Sequence, residues 1–157
     1  MKPLFNTLCT VFAAFVALTI ASCADPLPVV DDEADFTEIE AGLASQVDAW
    51  NRGDIDAFMQ LYVKGDSLRF ASGNAIQYGW QATIERYRRA YPDKDHMGQL
   101  RFDIIATQRL APEWITVFGR FHLTREESIG NLEGLFTLMF NKTVDGWLIV
   151  SDHTSSE

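Results

Sequence analysis

Cysteine is nearly missing from this chain of 157 residues: there are two, Cys9 and Cys23, and none beyond them. From residue 24 onward there is no thiol, which excludes a disulfide framework, a cysteine nucleophile and a thiolate metal site in that part. Histidine is scarce as well. His96, His122 and His153 lack the regular spacing of a ligand set, so neither a metal nor another cofactor is expected. Positive charge is short too: 13 Lys and Arg stand against 22 Asp and Glu, a net charge of −9. A surface this acidic repels phosphate backbones, which excludes nucleic acid as a partner, and it repels anionic head groups in the same way. No phosphate loop, dinucleotide fingerprint or Gly-x-Ser-x-Gly elbow occurs. Long apolar runs are limited to Leu8–Ile20, thirteen residues. As a helix such a run reaches about 20 Å, short of the roughly 30 Å hydrocarbon core, so a membrane span is not expected.

The surroundings of that run give it a meaning. Lys2 precedes it, and Leu18-Thr19-Ile20-Ala21-Ser22-Cys23 closes it. A positive start, a short apolar core and small residues at the end are the layout of an export signal. The closing residues resemble the bacterial lipobox, so residues 1–22 are expected to be removed and Cys23 to carry the lipid. Ordinary cleavage after Ala24 is the alternative, because Ser22 and Ala24 also satisfy the small-x-small rule. The resemblance implies an exported, lipid-anchored protein of the cell envelope. With Ala24 rather than Asp after the cysteine, it implies the periplasmic side of the outer membrane in a Gram-negative host. Loss of the signal removes Lys2 and no acid, so 12 bases face 22 acids and the net charge becomes −10. The remaining 135 residues suit one domain, large enough to bury about two-thirds of its unfolded surface. Membrane contact is then expected through the lipid on Cys23. Residues 23–34 read as lipidated cysteine and tether, since Ala24–Ala34 is acidic, Pro-containing and aperiodic; ten or so extended residues span about 30 Å.

Helical periodicity begins after the tether. Phe36, Ile39, Leu43, Val47 and Trp50 recur at spacings of three and four, with Asp35 and Glu38 as an N-terminal capping pair and Gly53 as the stop. Asp54 can cap a second helix that buries Ile55, Phe58, Leu61 and Tyr62. Two short strands, Ser67–Ala71 and Ala75–Tyr78, are predicted around Ser72-Gly73-Asn74. A third helix opens at Gly79-Trp80, places Ile84, Tyr87 and Tyr91 on one side and stops at Pro92. From Gln99 the period changes to two. Strands are predicted after Gln99, over Trp114–Thr124 and Glu133–Thr143, and over Trp147–Thr154 beyond an Asp145-Gly146 hairpin. Helices first and a meander of long strands afterwards make an α+β layout.

Trp50-Asn51-Arg52-Gly53-Asp54 followed by Phe58 and Tyr62 matches a W-x-x-G-D-x-x-x-F-x-x-x-Y pattern. Gly79-Trp80, Gly98-x-Leu100-x-Phe102, Gly119-Arg120 and the stretch from Asp145-Gly146-Trp147 to Asp152-His153-Thr154-Ser155 follow in order. In that order and spacing the chain resembles the SnoaL-like domains of the nuclear transport factor 2-like superfamily, over residues 35–157. The resemblance implies a cone: three N-terminal helices packed on a curved antiparallel sheet, with an apolar pocket at the open end. It also implies pairing of two copies through the outer sheet face. The superfamily holds isomerases, cyclases and dehydratases as well as non-enzymes, so the fold implies a pocket and not a reaction.

Candidate chemistry concentrates at the end of the last strand. A carboxylate in an apolar cone is held up in pKa by desolvation, which suits a group that moves a proton beside a carbonyl; a neutral imidazole can do the same. Asp152 and His153 are therefore the candidate proton carriers. Consecutive strand residues face opposite sides, so only one of them lines the pocket unless a bulge intervenes. Arg120, in a strand with apolar neighbours, reads either as a buried partner of Asp152 or as a receptor for a ligand oxygen. Trp50, Tyr62, Trp80, Tyr87 and Phe136 are the candidate ligand-lining aromatics, with core packing as the plain alternative. Arg101 is expected on a solvated or interface face, and Glu85-Arg86-Tyr87-Arg88-Arg89 on a solvated helix face. Three functions are compatible with these residues. The first is a lipid-anchored pocket for a small apolar or carbonyl-bearing molecule. The second is an isomerase or cyclase–dehydratase using Asp152 or His153. The third is a dimeric envelope scaffold without catalysis.

Overall fold

The computed structural model describes residues 30–156. Cys23, the export segment and the tether up to residue 29 lie outside the described residues.

Helix α1 spans Asp32–Arg52 and starts earlier than the Asp35–Glu38 pair predicts. Asp31 is its N-cap, accepting from the Ala34 amide at 3.1 Å, and Asp32 and Glu33 place negative charge at the positive end of the helix dipole. Asp35 lies on the buried face and accepts from Arg109 Nη2 (2.6 Å), Lys142 Nζ (2.6 Å) and Trp147 Nε1 (3.0 Å). Gly53 ends the helix as predicted, at φ 84°, a left-handed conformation that glycine adopts without steric cost.

Asp54 caps the single-turn helix α2, Ile55–Phe58, which tightens into a 3-10 turn over Met59–Leu61. Tyr62 is already extended beyond that turn and bridges to Ile149, rather than riding on the second helix. The hairpin β1 (Arg69–Ser72) and β2 (Ala75–Tyr78) follows, then α3 (Trp80–Ala90) and one further turn, α4 (Lys94–Met97), which the sequence reading did not include. Four long strands complete the chain: β3 (Gln99–Ala111), β4 (Trp114–Thr124), β5 (Leu132–Thr143) and β6 (Gly146–Ser156).

The six strands form one curved sheet in the order β2-β1-β6-β5-β4-β3. The last four are an antiparallel meander, but β1 runs parallel to β6, so the sheet is mixed rather than purely antiparallel. Parallel neighbours need a long connection, and the chain from β2 through β5 lies between these two strands. Helices and concave face enclose a core in which Ile39 and Leu43 of α1 meet Ile115, Phe140 and Ile149 of the sheet. Fully burying such side chains stabilises the fold by about 1.5–3 kcal/mol each. Gly119 in β4 lets the sheet bend under an aromatic ring: a Cβ there would sit 2.2 Å from Cζ of Phe136, its cross-strand partner.

One irregularity decides what faces inward. In β6, Met139 of β5 pairs with Ser151 but Phe140 pairs with Ile149, leaving Val150 as a bulge. Inward residues therefore run Trp147, Ile149 and then Asp152, with the phase shifted by one.

Candidate functional site

Between the helices and the concave face lies a cavity of about 150 Å³. Its walls are mainly aromatic. The C-terminal half of α1 brings Trp50, α2 brings Phe58, β1 brings Phe70, α3 brings Tyr87, and the sheet brings Phe102 and Phe136. These rings meet edge-on: Trp50 lies 5.1 Å from Phe58 and 4.8 Å from Tyr91, and Phe102 lies 5.1 Å from Phe136. In each such contact the electropositive edge of one ring meets the electronegative face of the other.

Asp152 stands in this apolar wall and is 4 % exposed. Tyr62 donates its hydroxyl to Oδ2 at 2.7 Å and Thr154 donates to Oδ1 at 2.8 Å. Burial pushes the carboxyl up to about 6, although the two hydroxyls and the nearby Arg86 pull it down. Burial, followed by the charge on Asp152, raises the hydroxyl of Tyr62 well above 10, so it stays protonated as a donor. Tyr87 is raised in the same way. A carboxylate with one donor on each oxygen still has lone pairs available, so the arrangement can accept a proton from a molecule in the cavity.

The Val150 bulge answers the question of Asp152 against His153. Asp152 and Thr154 face the cavity, whereas His153 is exposed on the opposite face of the sheet. Arg120 is placed differently from both readings above. The inward residues of β4 are Ile115, Val117, Gly119, Phe121 and Leu123, which leaves Arg120 exposed on the outer face opposite Leu135 and Asp103. The expected Arg120–Asp152 pair is therefore not formed, and Arg120 is not on the cavity wall. Arg101 is on the outer face, where it pairs with Asp103.

Four of the five aromatic candidates, Trp50, Tyr62, Tyr87 and Phe136, border the cavity. Trp80 does not: its Nε1 donates to the Met59 carbonyl at 3.0 Å and fastens the start of α3 to the 3-10 turn. The indole of Trp50 is tied down similarly, to the Met97 carbonyl at 3.0 Å, so its ring rather than its N–H faces the empty space.

Arg86 was missed by sequence reasoning, which assigned the whole Glu85–Arg89 run to solvent. Arg88 does lie outside, ion-paired with Asp56 at 2.6 Å. Arg86 instead borders the cavity, with its guanidinium 4.7 Å from the centre of the Phe70 ring. Its spacing of three from the buried Thr83, which places the two on one face of α3, was the available signal. Among the described residues, no cluster of three or more His, Cys, Asp or Glu side chains comes together.

The SnoaL-like domain family matches residues 39–156. The chain is similar to a crystal structure of an NTF-2 like protein of unknown function from Shewanella oneidensis, at 38 % identity and a TM-score of 0.72, covering 76 % of this chain and 98 % of that one. A ketosteroid isomerase-like protein from Erwinia carotovora shares the fold at 19 % identity and a TM-score of 0.61, covering 78 % and 95 %. So does a protein named as a candidate dehydratase of the NTF2-like family, from Streptomyces avermitilis, at 14 % identity and 0.63, covering 81 % and 99 %. No functionally curated protein matches. With helices closing an aromatic cavity over a curved six-stranded sheet, and a family match from α1 to the end of β6, this chain belongs to the SnoaL-like family of the nuclear transport factor 2-like superfamily.

Proposed function

We propose that the domain binds a small, largely apolar molecule in the aromatic cavity and that Asp152 takes a proton from it or holds one against it. The observation that carries this reading is the placement of one carboxylate in that cavity, 4 % exposed, oriented by Tyr62 and Thr154. Orienting hydroxyls on both oxygens fix its geometry, and a pKa of about 6 leaves it mostly ionised yet basic at neutral pH, as proton transfer requires. Tyr87, kept protonated, is the available donor for a developing negative oxygen, since the hydroxyl proton of Tyr62 is already given to Asp152. Isomerisation and dehydration beside a carbonyl both need that pairing of base and donor, and they are the reaction classes favoured here. His153 and Arg120 are left out of the mechanism because they face away from the cavity.

The test is to incubate the purified protein with mixed metabolites and identify retained compounds by native mass spectrometry. A retained apolar compound is expected; retention of nothing sinks the reading. If turnover of that compound is found, Asp152→Asn should lower it by at least 100-fold, and the wild-type rate should rise as pH passes through about 6. An unchanged rate would remove Asp152 from the chemistry.

The setting we infer is the cell envelope, with Cys23 lipidated and the acidic domain held by the acyl chains alone. Phe118, Leu135 and Met139, partly exposed on the outer sheet face, are where a second copy would pair. Phe118→Glu with Met139→Glu is expected to give a monomer by analytical ultracentrifugation; a wild-type monomer would dismiss the pairing.

A further inference from the structure

The cavity wall carries two charged groups among the described residues, Asp152 and Arg86, and they are handled differently. Asp152 has a donor on each carboxylate oxygen. Arg86 has neither an ion pair nor a hydrogen bond to another described residue; it rests over Phe70 as a cation over a ring. Arg52, Arg89 and Arg120 also lack such a partner, but they are exposed to solvent, whereas Arg86 is half-buried. Arg69, Arg88, Arg101, Arg109 and Arg125 all donate to a carboxylate or a carbonyl oxygen. A guanidinium offers five N–H donors in a fork that matches a carboxylate, and at Arg86 this fork borders the cavity without a protein acceptor.

Resting on the reading that the cavity binds a small apolar molecule, we propose that the ligand is a monoanionic carboxylic acid: its carboxylate pairs with Arg86 and its apolar body packs among the rings. The aromatic body of the cavity and the single cation on its wall then recognise the two ends of one molecule. The size agrees, since a cavity of about 150 Å³ in a protein interior takes a benzene-sized group. Long-range repulsion from the acidic surface opposes an anion, but at physiological ionic strength it is screened beyond about 8 Å, whereas a guanidinium–carboxylate contact forms at about 3 Å. The local contact wins. Thr154, Ser72 and Ser156, also on the wall, are uncharged; the ionised Asp152 repels a carboxylate placed against it, so the ligand's carboxylate belongs at Arg86 and its apolar body at Asp152.

The experiment is calorimetric titration of the full chain with sodium benzoate and, separately, with benzamide, the neutral molecule of nearly the same shape. Wild-type protein is expected to bind benzoate at least tenfold more tightly than benzamide. Arg86→Gln should reduce benzoate binding by at least tenfold and leave benzamide binding within about twofold, which also reports that the cavity is still folded. Arg86→Lys, which keeps the charge without the fork, should fall between them. Equal binding of the two probes by wild type, or benzoate binding indifferent to Arg86→Gln, overturns the anion assignment while leaving the apolar cavity reading intact. If wild type binds neither probe but retains a larger neutral compound by mass spectrometry, the anion assignment fails alone. If it binds neither probe and retains nothing, the cavity reading fails with it.

Discussion

Asp152 and Asp35 are both carboxylates buried in the same domain, yet their surroundings move them in opposite directions. Around Asp152, desolvation outweighs two hydroxyl donors and the carboxyl rises to about 6. A group bound more tightly to its proton in the folded state than in the unfolded state, near 4, lowers stability as pH rises through that interval. The cost is absent below pH 4 and complete above pH 6, and amounts to on the order of 3 kcal/mol. Asp152→Asn keeps an acceptor and a donor in place without the charge. It is therefore expected to melt higher than wild type at pH 8, by several degrees, and at the same temperature below pH 4. Thermal melts at the two pH values check this, and a variant that melts lower at pH 8 would show that the charge is stabilised rather than tolerated. A group retained at a cost to folding belongs to function more readily than to architecture.

At the scale of elements, Asp35 links the start of α1 to β3 through Arg109, to β5 through Lys142 and to β6 through Trp147. Burial pushes its carboxyl up, but the hydrogen bonds from Lys142, Trp147 and Arg109 together outweigh burial and hold it at about 2. The sign is opposite to that of Asp152: this stabilisation is present above pH 4 and disappears as pH falls through 2. Asp35→Ala should cost about 3 kcal/mol, the low end of the range for breaking a buried pair, because Arg109 keeps Asp32 and the Pro112 carbonyl as partners. The loss is read from the urea midpoint at pH 7, and it should shrink at pH 2. The elements themselves were largely legible in the sequence, since 3.6-residue and two-residue periods are local properties. Sequence alone reads Asp35 as a cap, because its burial depends on Arg109 and Lys142, each more than 70 residues away. The parallel β1–β6 pairing and the Val150 bulge are also non-local: nothing in Ile149-Val150-Ser151-Asp152 reveals which residue the neighbouring strand will leave unpaired. Arg86 was hidden by its charged neighbours, although its spacing from Thr83 places it on the buried side of α3.

For the whole molecule, export and the lipid on Cys23 stand on residues outside the described part, and labelling cells with a radioactive fatty acid tests them. Label is expected on wild type and lost in Cys23→Ser; an unlabelled wild type would mean ordinary cleavage after Ala24. If the anchor is there, α1 governs what it does to the rest. The helix begins beside Arg109, Lys142 and Trp147 and ends at Trp50 on the cavity wall, and 21 residues at 1.5 Å make it about 30 Å long. A pull on the chain ahead of Val30 is then borne first by the bonds from β3, β5 and β6 to Asp35, which share the load in parallel. The cavity wall at Trp50 lies about 22 Å along the helix beyond that fastening, toward the far end of the lever, so drag on the tether is grounded in the sheet before it can deform the aromatic walls.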